Sequence, residues 1–131
     1  LADFSPFDRW IKEYSVLHLT AQKHIMDFFR PKLPKTVLTS KDAALLTKGT
    51  VQMAGLVIRP HRPPTKRGKT VVFLTLEDEY GLVDVTIFED IYNKYAKTIY
   101  NQHLLLVTGE LSQRDSIEKA SIIATRIQTL P

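Results

Sequence analysis

The chain has 131 residues and no cysteine. That excludes a disulfide scaffold, a thiolate metal site and a cysteine nucleophile, and it suits a cytoplasmic location. Long apolar runs are missing too. None approaches the roughly 20 residues that a membrane span needs, and the start shows no signal-peptide pattern. No membrane partner is expected. Acid is absent from one long stretch: Ala43 to Leu76 holds no Asp or Glu, while Lys48, Arg59, Arg62, Lys66, Arg67 and Lys69 fall there. From Glu77 to Asp90 the imbalance reverses, with six acids and no base. The net charge of +4 is modest. Segregation of this kind nevertheless gives a directed field, and a cationic focus suits an anionic polymer.

What is present is enough for a core. Hydrophobic residues make up 44% of the chain, which argues against wholesale disorder. The length fits one domain, or one domain with a small appendage. The chain begins at Leu1 rather than Met, as expected of a piece of something longer.

The sequence divides into two zones. Residues 1–48 read as a helical segment. Ser5 and Pro6 suit a helix start, and Phe7, Trp10, Ile11 and Tyr14 follow at helical spacing. Thr20 is the expected cap of a second helix, with Ile25, Phe28 and Phe29 on its apolar face and Pro31 and Pro34 ending it. A third, short helix is expected over Ser40 to Thr47, capped by Ser40, with Asp42 near its start. The aromatic stripe reads as packing rather than ligand binding.

Residues 49–131 read as strands and one helix. The first strand is Val51 to Arg59, with Gly55 marking a bulge or bend. Thr70 to Asp78 is the second, and Glu79-Tyr80-Gly81 is a tight turn in which Gly81 is free to take positive φ. Leu82 to Phe88 is the third strand. Glu89 to Tyr100 switches to helical period, placing Ile91, Tyr92, Tyr95 and Ile99 on one face. Leu104 to Leu111 and Ile117 to Ile127 are the last two strands, joined by Ser112 to Ser116. Three strands, a helix and two strands is the order of the OB-fold, a mainly β, five-stranded Greek-key barrel with an α-helix between strands three and four. In that fold the loop after the first strand and the loop between the last two flank the face of strands two and three, where oligonucleotides lie.

The first of those loops is "PHRPPTKRGKT", residues 60–70. Its cations suit phosphate contact, and Pro60, Pro63 and Pro64 lower the entropy lost when it orders. On the adjoining face, alternation sends Val72, Leu74, Leu76, Val83, Val85 and Ile87 into the barrel. Phe73, Thr75, Asp84, Thr86 and Phe88 then point outward. An outward Phe must be covered, here by the N-terminal helices, or serve as a stacking platform for a base. The expected nucleic-acid contacts are Arg59, Arg62, Lys66, Arg67, Lys69, Phe73, Thr75 and Phe88, with Arg114 from the linker between the last two strands.

The stretch "TKRGKTVVFLTLEDEYGLVDVTIFEDIYNKY" resembles the OB-fold domain near the C-terminal end of the bacterial C-family DNA polymerases, the alpha subunit of DNA polymerase III. "EYSVLHLTAQKHIMDFFRPKL" is similar to the segment that precedes that domain. "VQMAGLVIRPHRPPTKRG" is similar to its first strand and loop, particularly in the error-prone branch that serves translesion synthesis. The resemblance covers nearly the whole chain, and "FLTLEDEYG" is its most specific part. Two departures stand out: Ile25 follows His24 where the family usually has Pro, and Asp84 stands where the error-prone branch often has Asn. A similar strand occurs in the anticodon-binding OB domains of class II aminoacyl-tRNA synthetases, which implies base stacking for Phe73.

The resemblance implies a non-catalytic module that holds single-stranded template DNA, with polymerase chemistry in another domain. No cofactor is expected. Glu77, Asp78 and Glu79 are adjacent and point to alternating faces, so they read as a hairpin-end charge cluster, with Asp78 bonding the turn backbone, rather than a metal site. His18, His24, His61 and His103 show no metal spacing. Two other readings stand beside this one. An anticodon-type module would prefer RNA, whose 2′-hydroxyls only RNA offers. A protein-interaction OB domain would instead dock other polymerase domains or replisome proteins, with Phe73 and Phe88 covered.

Overall fold

The computed structural model describes residues 24–61, 71–112 and 120–130. The expected helix after Ser5 lies outside them. In chain order the elements are α1 (Ile25–Phe29), a 3-10 turn (Arg30–Lys32), β1 (Val37–Leu38), α2 (Ser40–Ala43), β2 (Thr50–His61), β3 (Val71–Glu77), β4 (Leu82–Phe88), α3 (Glu89–Asn101), β5 (Leu104–Leu111) and β6 (Ala120–Thr129).

Strands β2 to β6 close the barrel. Their order is β2-β3-β4-β6-β5, with β5 returning to β2. The β4–β6 contact is parallel, Val83 beside Ala120, and the other four are antiparallel. Closure depends on β2, which serves two neighbours: Thr50 to Leu56 pair with β5, and Leu56 to His61 with β3. Gly55 sits at the switch. A Cβ there would lie 2.8 Å from the Glu77 carbonyl oxygen and 3.1 Å from Leu76 Cβ, so the strand changes partners where it carries no side chain. A bulge or bend is expected at Gly55; the partner change falls there, and the register irregularity lies further on, where Ile58 pairs with Thr75 but His61 with Phe73. Pro60, which has no N–H to give a ladder, falls within it.

The core follows the alternation. Val72, Leu74, Leu76, Val83, Val85 and Ile87 are all buried, with Met53, Leu105, Val107, Ile122 and Ile127 from the other strands. Helix α3 contributes Tyr92 and Ile99, with Ile91 and Tyr95 partly buried against them. A second cluster lies outside the barrel wall, where Ile25, Met26, Leu33 and Val37 cover Ala54 and Leu104. β5 is therefore buried on both sides at its start, which accounts for the unbroken Leu104-Leu105-Leu106-Val107 run.

Several expectations for residues 24–48 need correction. The cap of α1 is His24, not Thr20: its Nδ1 accepts from the Met26 N–H at 3.0 Å, and Asp27 Oδ2 accepts from the His24 N–H at 3.0 Å. α1 buries Ile25 and Met26 rather than Phe28, which is 52% exposed. The helix ends at Phe29, just before Pro31, as expected, and a 3-10 turn over Arg30–Lys32 carries the chain on to Leu33. The α2 cap is Thr39, whose Oγ1 accepts from the Asp42 N–H at 3.0 Å, and the helix ends at Ala43. Ser40 is diverted to Asp78, as described below. The two-residue β1, parallel to β2 at Gln52 and Met53, had no sequence signal. Finally, Gly81 does not have positive φ; among the described glycines only Gly49 does.

Candidate nucleic-acid interface

The outward face of β3 and β4 is set by their register. Val71 faces Phe88, Phe73 faces Thr86, Thr75 faces Asp84 and Glu77 faces Leu82. Phe73 and Phe88 are thus diagonal neighbours, a spacing of about 7–8 Å in an antiparallel pair. Phe73 is 42% exposed and Phe88 47%, so neither ring is packed away. Between them and the turn, the Thr75 hydroxyl donates to Asp84 Oδ1 at 3.2 Å. The face carries two open rings at one end and a hydroxyl–carboxylate pair at its middle.

The basic segment is tethered to the aromatic end of this face. β2 finishes at His61 beside Phe73, and β3 begins at Val71 beside Phe88. Of the residues expected to bind, Phe73, Thr75 and Phe88 therefore share one face, and Arg59 stands in the β2 bulge. Arg62, Lys66, Arg67, Lys69 and Arg114 lie outside the described residues.

The opposite end of the face is held by its acids. Asp78 is buried and caps the turn as expected: Oδ1 accepts from the Tyr80 and Gly81 N–H groups at 2.9 and 3.0 Å. It also binds Ser40, taking the Ser40 N–H on Oδ2 and the hydroxyl on Oδ1, both at 2.6 Å. Glu77 Oε1 meets His24 Nε2 at 2.8 Å. Because Nδ1 of that ring is an acceptor, the ring proton sits on Nε2 and is donated to Glu77. Glu79 receives Arg30 in a bidentate pair, at 2.9 Å from Nε and 2.7 Å from Nη2. Each of three consecutive acids thus hydrogen-bonds a different residue of the segment 24–40. Burial pushes the Glu79 carboxyl up, but the Arg30 hydrogen bond, a backbone N–H and the charge of Arg30 outweigh it and hold the carboxyl below its usual range. The hydrogen bond to Glu79 raises the Arg30 guanidinium in turn, against the effect of burial. This clamp is the feature the sequence did not announce, since its partners are 38 to 53 positions apart. Among the described residues no group of His, Asp and Glu is arranged to hold a metal ion, and no helix is long and apolar enough to cross a membrane.

A closed five-stranded barrel with a helix between its third and fourth strands and open rings on the face of its second and third is the architecture of an OB-fold nucleic-acid-binding domain. Residues 48–130 match the family of OB-fold nucleic acid binding domains, and the chain belongs to it. Over nearly its whole length the chain is also similar to error-prone DNA polymerases. It is 40% identical over 99% of its length to that of Symbiobacterium thermophilum, of which it spans 12%. The polymerase of Ruegeria pomeroyi is 38% identical over 92% of this chain, which spans 10% of it, and that of Bdellovibrio bacteriovorus 35% over 96%, with 13% spanned. The chain therefore corresponds to a small part of the curated relatives it matches.

Proposed function

We propose that this chain is the OB-fold module of a bacterial C-family DNA polymerase of the error-prone type. In this reading it holds single-stranded template DNA and performs no chemistry itself. The observation that carries the reading is that the residues bounding the acid-free basic stretch 62–70, His61 and Val71, pair with Phe73 and Phe88, two exposed rings on the outward face of β3 and β4. Phosphates are held by the loop cations while bases lie on the rings, the usual division of labour in sequence-tolerant single-strand binding. Asp84 and the Thr75 hydroxyl it accepts from favour bases over phosphates at mid-face, because a carboxylate repels a phosphate.

The test is fluorescence anisotropy with a labelled single-stranded deoxyoligonucleotide over a salt series, repeated with the ribo-oligomer of the same sequence. The expected result is binding that weakens steeply with salt and persists with DNA. A clear preference for RNA would transfer the reading to an anticodon-type module. No binding to either would leave the face to a protein partner.

A further inference from the structure

The outward face does not end at Thr75 and Asp84. The same row of β4 continues to Leu82, which is 41% exposed, and the chain before it presents Tyr80 at 60% exposure. Across the turn from them, Leu45 just beyond α2 is 81% exposed. These side chains, with Lys41, Ala44 and Gly81, line an open groove of about 410 Å³, within the roughly 300–1,000 Å³ range of ligand sites. Lys41 Nζ lies 5.5 Å from the Tyr80 ring centroid, close enough for a cation–π contact.

We propose that Tyr80, Leu82 and Leu45, with the Lys41 ammonium beside them, form a second nucleobase-stacking site that extends the single-strand track of the Phe73–Phe88 face. The proposal rests on the binding reading above and names a further stop along the same path. Three observations select a nucleotide as the occupant. The groove is continuous with the face through the Leu82 row. Its exposed ring offers a base the π-face that every base can use. Its cation lies 5.5 Å from the ring centroid, a positive charge beside the stacking surface for an anionic ligand. The acids at this end are engaged: Asp78 by Ser40 and the turn, Glu79 by Arg30, Glu77 by His24. The hairpin clamp thus fixes α2, and with it Lys41 and Leu45, against the turn, so that the groove is built before any ligand arrives.

The spacing gives the proposal a signature. Leu82 faces Glu77, four residues along β3 from Phe73, which is about 13–14 Å at the usual strand rise. A stacked strand rises about 3.4 Å per nucleotide, so roughly four nucleotides separate the two stacking sites. Tyr80 therefore contributes only to oligomers long enough to reach both.

The experiment is anisotropy with 5′-labelled oligothymidylates of three and of twelve nucleotides, on the intact chain and on Tyr80→Ala, Tyr80→Phe and Phe73→Ala. Tyr80→Ala is expected to weaken the twelve-mer by about 5- to 150-fold, the range that loss of one stacked base implies. It should leave the three-mer unchanged, and Tyr80→Phe should restore the twelve-mer. Phe73→Ala should weaken both lengths. Thermal melting of Tyr80→Ala, whose ring is exposed, is expected to match the parent. If the parent binds and Phe73→Ala weakens it while Tyr80→Ala leaves the twelve-mer unchanged, the second site is overturned and the binding reading stands. If the parent binds neither oligomer, both fall.

Discussion

Arg30 and Glu79 meet through two parallel hydrogen bonds of 2.9 and 2.7 Å, joining the segment before the barrel to the tip of its β3–β4 hairpin. The Glu79 side chain is 8% exposed and that of Arg30 22%, and Arg30 Nη2 also lies 3.7 Å from Asp78. Arg30→Met would leave a nearly buried carboxylate without its cation. An expected loss of about 1.5–3 kcal/mol, the range of hydrogen bonds to charged groups, is read from urea unfolding. The pH dependence has a definite sign. Glu79 is held below its usual range, so its stabilising contribution is full above the ordinary glutamate value of about 4.3 and fades as pH falls through the lower folded value. The stability gap between the parent and Glu79→Gln should narrow on acidification below about pH 4; a gap that widens there would contradict the assignment.

Barrel closure rests on two glycines with different clearances. A Cβ at Gly109 would lie 2.3 Å from the Ile123 carbonyl oxygen, next to the irregularity that pairs Thr108 with Arg126 but Gly109 with Ala124. At Gly55 the closest atom is 2.8 Å away. Both close atoms belong to backbone, which cannot swing aside as a side chain does. Gly55→Ala is expected to cost about 1–3 kcal/mol, the usual overpacking range, and Gly109→Ala more. Equal melting temperatures for parent and both variants would show that the strands separate freely at these points.

For the aromatic platform, Phe73→Ala should weaken single-strand binding by about 1–3 kcal/mol and barely change thermal stability, since the ring is 42% exposed. A variant that melts early yet binds as before would make Phe73 a packing residue.

The basic segment has a salt signature. Each phosphate neutralised contributes about −0.7 to the slope of log affinity against log salt for a single strand. Lys66→Ala combined with Arg67→Ala should make the slope shallower by roughly 1.4. The loss should be alike for different base sequences, because phosphate contacts carry no sequence information. An unchanged slope would assign the loop's charge to solubility or a protein partner.

Asp84 offers a gain of function. Replacing it with Asn keeps an acceptor for the Thr75 hydroxyl, now at 3.2 Å from Oδ1, and removes a negative charge from the face. Asp84→Asn is expected to tighten binding by up to about 1 kcal/mol, the scale of one charge pair in water at contact range. The gain should shrink at high salt. Weaker binding by the variant would place the carboxylate among the groups that recognise the strand.

Much of the barrel was legible because its signals are local. Alternation over Val71 to Glu77 and Leu82 to Phe88 assigned each side chain to the inside or outside, since a strand's side-chain period is two whatever surrounds it. The switch to helical period after Phe88 located α3 in the same way. From those two patterns came Phe73, Thr75 and Phe88 as one face. Where the sequence misled, a distant group had outbid a local one. Ser40 was the evident cap, but its N–H and hydroxyl go to Asp78, so Thr39 caps instead. Thr20 was the expected start of the second helix, but His24 supplies a ring nitrogen to the helix and its other nitrogen to Glu77.

The sequence by itself determined the order of strands and helix, the barrel-facing side of β3 and β4 and the charge of the stretch between β2 and β3, because each depends on neighbours in the chain. Tertiary structure decided how β2 divides between two partners, why Glu77, Asp78 and Glu79 are consecutive, and where Lys41 and Tyr80 come together. The physical reason is range. A hydrogen bond or ion pair acts over about 3 Å, and chain segments 38 to 53 residues apart are held within that distance by the fold, in which the Ile25, Met26, Leu33 and Val37 cluster packs residues 24–40 on the barrel wall.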